Sequence, residues 1–411
     1  MIKKLLEKIV SKIKIYKIAR LLRVHPHFFF DLVIFHFSKF FRGNVDDNLI
    51  IFGGNHGKYF GGNTKYLYLY LKETTDYKLF WMSKSLNLNK KLEKQGIKTI
   101  YAYSLKAIKM LRKARAVFVT HGTTDILPIK FSPRTVHVQT WHGGDIKLIG
   151  SNPYAAKFIY TKKAQLLRLK LRDHEYVDYL VSQSGAKRPL EILSEAFRYP
   201  LERIIPMGYP RNDIFFSKNK DLKVKLRESY SIPNNINTII LYAPTFRRDF
   251  EAKFPLSNEH LIELNQYLFE TNSIFLMKAH MSEKTISFKD LDNIKTIGIE
   301  ADTQELLYIT DVLISDYSSI YCDFLLLNRP ILLFTHDYDK YDKEWGFYYD
   351  HLEEIAPGPL LFTGEELINA IRNIYNIDKE YESKRLELKH YFNAYIDGNS
   401  SERLLKFLKL I

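Results

Sequence analysis

Cysteine is almost absent: Cys322 stands alone in 411 residues. That excludes an intrachain disulfide and a thiolate-rich zinc or iron–sulfur site, and it fits a reducing compartment. Acidic residues are in deficit, with 47 Asp and Glu against 61 Lys and Arg. The resulting formal charge of +14 predicts anionic partners: nucleic acid, acidic lipid or phosphate-rich substrates. The densest apolar stretch, HPHFFFDLVIFHFSKFF at 25–41, is broken by Asp31 and Lys39. It falls short of the roughly 20 apolar residues that cross a bilayer. No Walker A sequence, full G-x-G-x-x-G fingerprint or H-E-x-x-H occurs. The basic patches carry no recognisable nucleic-acid module, so nucleic acid is not an expected partner. No close acidic pair suggests sugar hydrolysis.

What is present begins with a basic N-terminus. Residues 1–23 hold eight basic side chains against Glu7 alone, with Ile2, Leu5, Leu6, Ile9, Val10 and Ile13 at helical spacings. Residues 1–44 read as a basic amphipathic membrane-associating segment, a peripheral hook for an anionic inner leaflet. The plainer alternative is a helix packed on the protein's own core. Beyond it, short apolar runs alternate with charged helical stretches. LIIFGG (49–54), KLFWMS (78–83), KTIYAYS (98–104), AVFVTHG (116–122), VHVQTWHG (136–143), VDYLVSQS (177–184) and ERIIPMG (202–208) read as buried parallel strands. A polar stretch at 217–237 interrupts the series. It restarts with NTIILYAPT (237–245), SIFLMKAH (273–280), IKTIGI (294–299), DVLISDYSS (311–319) and PILLFTHD (330–337). The expected fold is α/β: two Rossmann-like doubly wound domains, 45–220 and 221–411, facing a central cleft at strand C-terminal ends. The charged stretch 378–411 reads as the helical close of the second domain.

The candidate residues sit at those strand ends. His142, in TWHGGDIKLIG, is delivered by a strand to a glycine-rich loop, where an imidazole suits proton transfer. A structural turn histidine is the bland alternative. Asp145 either orients that ring or, slightly favoured, caps a helix starting near Lys147, and Lys147 could meet a phosphate. His121, in VFVTHG, faces the same cleft or is a satisfied loop residue. His280 ends SIFLMKAH, placed against a pyrophosphate or simply in the core. In YAPTFRR, Pro244 stops the strand, leaving Thr245 exposed for hydrogen bonding, and Arg247 and Arg248 offer charge-assisted contacts to phosphate. In SDYSSIYCDF a strand runs into Asp316, Ser318 and Ser319 ahead of a helix, a turn able either to seat phosphate or merely to cap.

Taken together, TWHGGDIKLIG (140–150), MGYPRNDIFF (207–216), YAPTFR (242–247), His280, DVLISDYSSIYCDFLLLNRPILLF (311–334) and GFYYD (346–350) form an ordered set. With FGGNHGKYFGGNTKYLYLY (52–70), the chain from about residue 48 resembles the CDP-glycerol glycerophosphotransferase family, the teichoic acid primases and polymerases and related capsule enzymes. The resemblance implies a GT-B-like enzyme, peripheral at the cytoplasmic face of the membrane. It would move glycerol phosphate or another polyol phosphate from CDP-glycerol or CDP-ribitol to an undecaprenyl-linked glycan or polyol-phosphate acceptor and release CMP. It places His142 at the position of the base and His280 at that of the donor-phosphate histidine. Arg247, Ser318 and Ser319 fall at donor-binding positions, and Asn63 at an acceptor-side position. No cofactor is implied, and Mg2+ on the pyrophosphate is compatible without being demanded. Oligomeric state is left open. The loop departs from the family's usual WHGTPLK at Gly144 and Asp145, and the usual HP is His280-Met281. Two alternatives remain: a GT-B glycosyltransferase with a nucleotide-sugar donor, and a non-catalytic membrane-bound binding protein on the same fold.

Overall fold

The computed structural model describes residues 33–41, 43–149, 177–245, 255–278, 291–298 and 300–411. Residues 1–32, and with them most of the expected membrane segment, lie outside that set. So do Arg247, Arg248 and His280.

The first sheet contains β1 (Asp46–Phe52), β2 (Lys78–Ser83), β3 (Thr99–Tyr101), β4 (Ala114–Val119), β5 (Val136–Gln139), β6 (Tyr179–Ser182) and β7 (Ile204–Pro206). Its order is β3-β2-β1-β4-β5-β6-β7, and every neighbouring pair is parallel. The crossovers include α1 (Gly62–Thr74), α2 (Leu86–Lys94), α3 (Leu105–Lys113) and α4 (Lys187–Phe197). Alternate residues of β1 feed opposite layers. Ile50 and Phe52 join Trp81 and Phe118 on one face, while Leu49 and Ile51 join Met82 and Val117 on the other. Burial on both faces is why these strands read as continuous apolar runs. Helix starts follow local chemistry: the hydroxyls of Ser85 and Ser104 accept from the N–H groups of Leu88 and Ala107.

After α5 (Leu222–Ser229) the second sheet is built from β8 (Thr238–Tyr242), β9 (Ser273–Lys278), β10 (Ile294–Ile297), β11 (Val312–Ser315), β12 (Ile331–Phe334) and β13 (Leu360–Leu361). Its order is β10-β9-β8-β11-β12-β13, again parallel throughout. Its helices are α6 (Asn258–Glu270), α7 (Thr303–Ile309), α8 (Ile320–Phe324), α9 (Tyr338–Glu344), α10 (Gly364–Arg372) and α11 (Ile374–Phe392), before the terminal α12 (Ser400–Phe407). Two doubly wound sheets are therefore present, as expected.

The chain does not divide as cleanly as the expected boundary at 220/221. α11 contributes Leu388 and Phe392 to the second core. Leu404, Leu405, Leu408 and Leu410, in and after α12, instead complete the first core beside Ile50 and Trp81. The carboxylate of Asp213 accepts from the backbone N–H groups of Ser400 and Ser401, fixing that return. The end of the N-terminal segment also packs inward: residues 33–38 are helical, and Ile34 joins the core beneath β1 and α3.

Candidate active site

In each sheet the strand order reverses once, between β1 and β4 and between β8 and β11. Such switch points open a crevice at the carboxyl ends of the strands. His56 follows β1, His121 follows β4 and His142 follows β5. Their rings form a column, with centroids 4.4 Å apart for His56–His121 and 3.9 Å for His121–His142. The Trp141 ring lies tilted against His142, with centroids 3.9 Å apart. The buried Asp125 carboxylate holds these loops together by accepting from the backbone N–H groups of His56 (2.6 Å), Thr120 (2.6 Å) and His121 (2.7 Å). Strain accompanies the arrangement: His56 has φ 56° and Trp141 φ 55°, left-handed values unusual for bulky side chains.

Asn63, the second residue of α1, uses both ends of its amide within the protein. Its Nδ2 donates to the carbonyls of Thr140 (3.1 Å) and Trp141 (2.9 Å), and its Oδ1 accepts from the Arg211 N–H (3.2 Å). Asn63 thus holds the His142 loop. His142 itself is partly open to solvent, with Nδ1 3.4 Å from the Thr120 carbonyl. Its pKa is pushed well below the usual histidine value, first by burial and then by His121 and Arg211. The ring is consequently neutral near pH 7.

Up to Ile149, where the described stretch ends, the loop does not wind into a helix. The expected helix start near Lys147, capped by Asp145, is replaced by an antiparallel bridge from Lys147 to Phe347 in the second domain. Hydrogen bonds from Leu148 N–H to the Gly346 carbonyl and from Tyr348 N–H to the Ile146 carbonyl flank it. Ile146 is buried in the second domain's core. A segment committed to another sheet-like contact cannot also wind into a helix. Asp145 is 4% exposed with Oδ1 unpartnered, and burial drives its pKa well above the carboxylate range. It neither caps a helix nor bonds to His142, and its burial favours the protonated form.

Across the interface, β11 delivers Asp316, Ser318 and Ser319. Thr245 is 8% exposed, contrary to the expectation of a free hydroxyl. Its N–H (2.9 Å) and Oγ1–H (2.7 Å) both donate to Asp316, because the carboxylate bridges the β8/β11 switch point. Asp316 also accepts from Ser318 N–H at 3.1 Å. Ser318 Oγ accepts from Ile320 N–H at 3.4 Å. The His142 loop lies directly on this turn. A Cβ on Gly143 would stand 3.2 Å from Ser319 Oγ, and one on Gly144 would stand 3.1 Å from Ser319 Cβ.

Several site residues escaped the sequence reading. His56 belongs to the column. Tyr209 OH donates to the Gly143 carbonyl (2.8 Å), and Arg211 Nη1 donates to the His142 carbonyl (2.8 Å). By contrast Lys278, two residues before His280, already suited an anion site from the sequence; it is half-buried, desolvation lowers its pKa to about 8, and Nζ donates to the Ala301 carbonyl. The MGYPRND run was the available signal for Tyr209 and Arg211. Among the described residues, no cluster of His, Cys, Asp and Glu could hold a metal ion.

Two parallel Rossmann-like sheets, with a neutral histidine loop of one joined to a hydroxyl-lined turn of the other, define a GT-B-like transferase. A profile described as CDP-glycerol:poly(glycerophosphate) glycerophosphotransferase matches residues 34–410. A teichoic acid glycerol-phosphate transferase of Staphylococcus aureus is 31% identical over 363 residues, 87% of this chain and 92% of that protein. A teichoic acid poly(glycerol phosphate) polymerase of Bacillus spizizenii is 34% identical over 346 residues, 82% of this chain and 86% of that protein. The solved wall teichoic acid polymerase TagF superposes with a TM-score of 0.76 at 24% identity, covering 93% of this chain and 92% of that one. The chain belongs to the CDP-glycerol:poly(glycerophosphate) glycerophosphotransferase family.

Proposed function

We propose that the protein transfers glycerol phosphate, or a related polyol phosphate, from a CDP-activated donor to a hydroxyl of a lipid-linked glycan or teichoic acid acceptor, releasing CMP. The observation that carries this reading is the contact of the His142 loop with the Ser318–Ser319 turn. It brings a neutral base and a hydroxyl-lined turn to one cleft. The Staphylococcus aureus and Bacillus spizizenii relatives, both more than 30% identical and both with glycerol phosphate in their names, favour glycerol.

His142 acts as the general base. With its Nδ1 proton directed at the Thr120 carbonyl, Nε2 keeps a lone pair for the acceptor hydroxyl. The acceptor oxygen forms its new bond to the β-phosphorus. The bond from that phosphorus to the bridging oxygen breaks, and the electron pair leaves with CMP. Ser318 and Ser319 offer hydroxyls to phosphoryl oxygens, on a turn shaped by Thr245 and Asp316. His280 and Arg247 keep the donor-phosphate roles that their motif positions imply. His121 backs the base, and Asn63, Asp145 and Lys147 hold or extend its loop.

The test offers the protein CDP-glycerol and CDP-ribitol with a lipid-linked acceptor and measures CMP. Release of UDP from a UDP-sugar, with no CMP from either CDP-polyol, would overturn the assignment. The pH profile is a second expected result. A base whose pKa is lowered stays neutral to lower pH, so the acid limb of kcat/KM should lie below about 6.5, the ordinary histidine value. A limb above that value would remove His142 from the role.

Placement at the cytoplasmic membrane face rests on the basic segment and on its visible end. Phe40 is 82% exposed, Phe37 is 41% exposed, and Lys39 lies between them. No helix among the described residues is long and apolar enough to cross a membrane. The full chain should float with vesicles containing phosphatidylglycerol and less with neutral phosphatidylcholine vesicles. Equal flotation of a chain lacking residues 1–44 would refute a membrane role for that segment.

A further inference from the structure

Arg211 is buried, yet it spans the two domains. Its Nη2 lies 2.7 Å from Asp323 Oδ2, in α8 just behind Ser319. Its Nη1 donates to the carbonyl of His142 at 2.8 Å, and its backbone N–H donates to Asn63. Asp323 is fully occupied: Asn212 Nδ2 donates to Oδ1 (2.8 Å) and Gln304 Nε2 to Oδ2 (2.9 Å). Burying an ion pair carries a desolvation cost of several kcal/mol per ion, so apolar packing would hold the domains at least as well. What packing would not supply is a directional donor to one carbonyl, that of the base-bearing residue. The fork of the guanidinium reaches the His142 carbonyl with one arm and the second domain's carboxylate with the other.

We propose that Arg211 is a positioning residue that couples docking of the two domains to placement of the His142 ring. Asp323 fixes the guanidinium only when the second domain is seated, and the guanidinium then fixes the loop. The inference rests on His142 being the base. The charges facing that ring come from several elements. His121 stacks on it from the end of β4, and His56, from the end of β1, lies tilted against His121, with Asp125 behind His121. Arg211 stands on the segment after β7, with Asp323 behind it, and Asp145 is on the same loop as the ring. Of these, Arg211 and Asp323 act with opposite signs. Removing the cation should ease protonation of His142. Removing the carboxylate should leave the cation less screened and oppose it.

The experiment uses the full chain with 13C-labelled histidine, assigning His142 by the resonance lost in His142→Asn. Arg211→Met should lower kcat for CMP release by roughly 10²-fold, the scale of an ångström-level misplacement, with donor KM changed less than threefold. The His142 titration midpoint should move up in Arg211→Met and down in Asp323→Asn. Arg211→Lys should keep the midpoint near wild type but not recover kcat, since one ammonium cannot serve both arms. If Arg211→Met does not fold, Asp323→Asn and Arg211→Lys decide. Midpoints moving in the same direction, or all variants within threefold of wild-type kcat, would overturn the proposal. The titration is read without turnover, so it separates failure of this coupling from failure of His142 as the base.

Discussion

His142→Ala should lower kcat for CMP release by about 10³-fold, within the range that general base catalysis contributes. The fold should survive, because the ring is partly exposed and its one polar contact is a 3.4 Å approach to a carbonyl. The loop's remaining anchors, Asn63, Tyr209, Arg211 and the Lys147–Phe347 bridge, all act on backbone atoms. Donor affinity should change little, since the proposed donor-binding groups belong to the second domain. Turnover is measured with saturating CDP-glycerol and acceptor, and binding of CDP-glycerol separately by calorimetry. A loss smaller than tenfold would leave the acceptor hydroxyl without need of this imidazole. The three-ring column would then be structural.

Gly144→Val should cost about 10²-fold in activity for a different reason. A Cβ at this position would meet Cys322 Sγ at 2.8 Å and Ser319 Cβ at 3.1 Å, both on the second domain. Val adds two methyl groups to that collision, so the loop must lift away from the turn it serves. Overpacking of this kind typically costs 1–3 kcal/mol of stability. The melting temperature should therefore fall far less sharply than the rate. Gly144→Ala should show a milder defect, and adding Cys322→Ala should restore part of it, because the nearest clash is with the sulfur. Full activity in Gly144→Val would mean that the close contact is not needed for transfer. This contact also gives a physical reason for the departure from the family's WHGTPLK: with Cys322 and Ser319 so near, position 144 has no room for a threonine.

Much of the architecture was legible because the signals were local. β2, written KLFWMS, has the expected ends, and Asp302 caps α7 through the N–H groups of Gln304 and Glu305. Continuous apolar strands announced sheets covered on both faces. Where expectations failed, a distant partner had intervened. Asp145 follows a glycine pair and precedes an apolar run, a fair cap signal, but its neighbours Ile146 and Lys147 are taken by the second domain. Thr245 follows a strand-breaking proline, but Asp316, 71 residues later, claims both its donors. The last helix, with apolar residues that would suit either core, crosses to the first. Nothing in the periodicity of residues 400–411 identifies the sheet that will receive them.

The order of residues alone determined the alternation of strands and helices, the two sheets and the types of chemical group at their carboxyl ends, because periodicity, capping and turn formation act over a few neighbours. Only the tertiary structure decided that three imidazoles from separate loops meet, that Asp145 is buried with an oxygen unpartnered, and that Arg211 reaches both His142 and Asp323. Those outcomes depend on which buried charges and rings are forced together once the sheets have packed, and that distance in space is not encoded by distance along the chain.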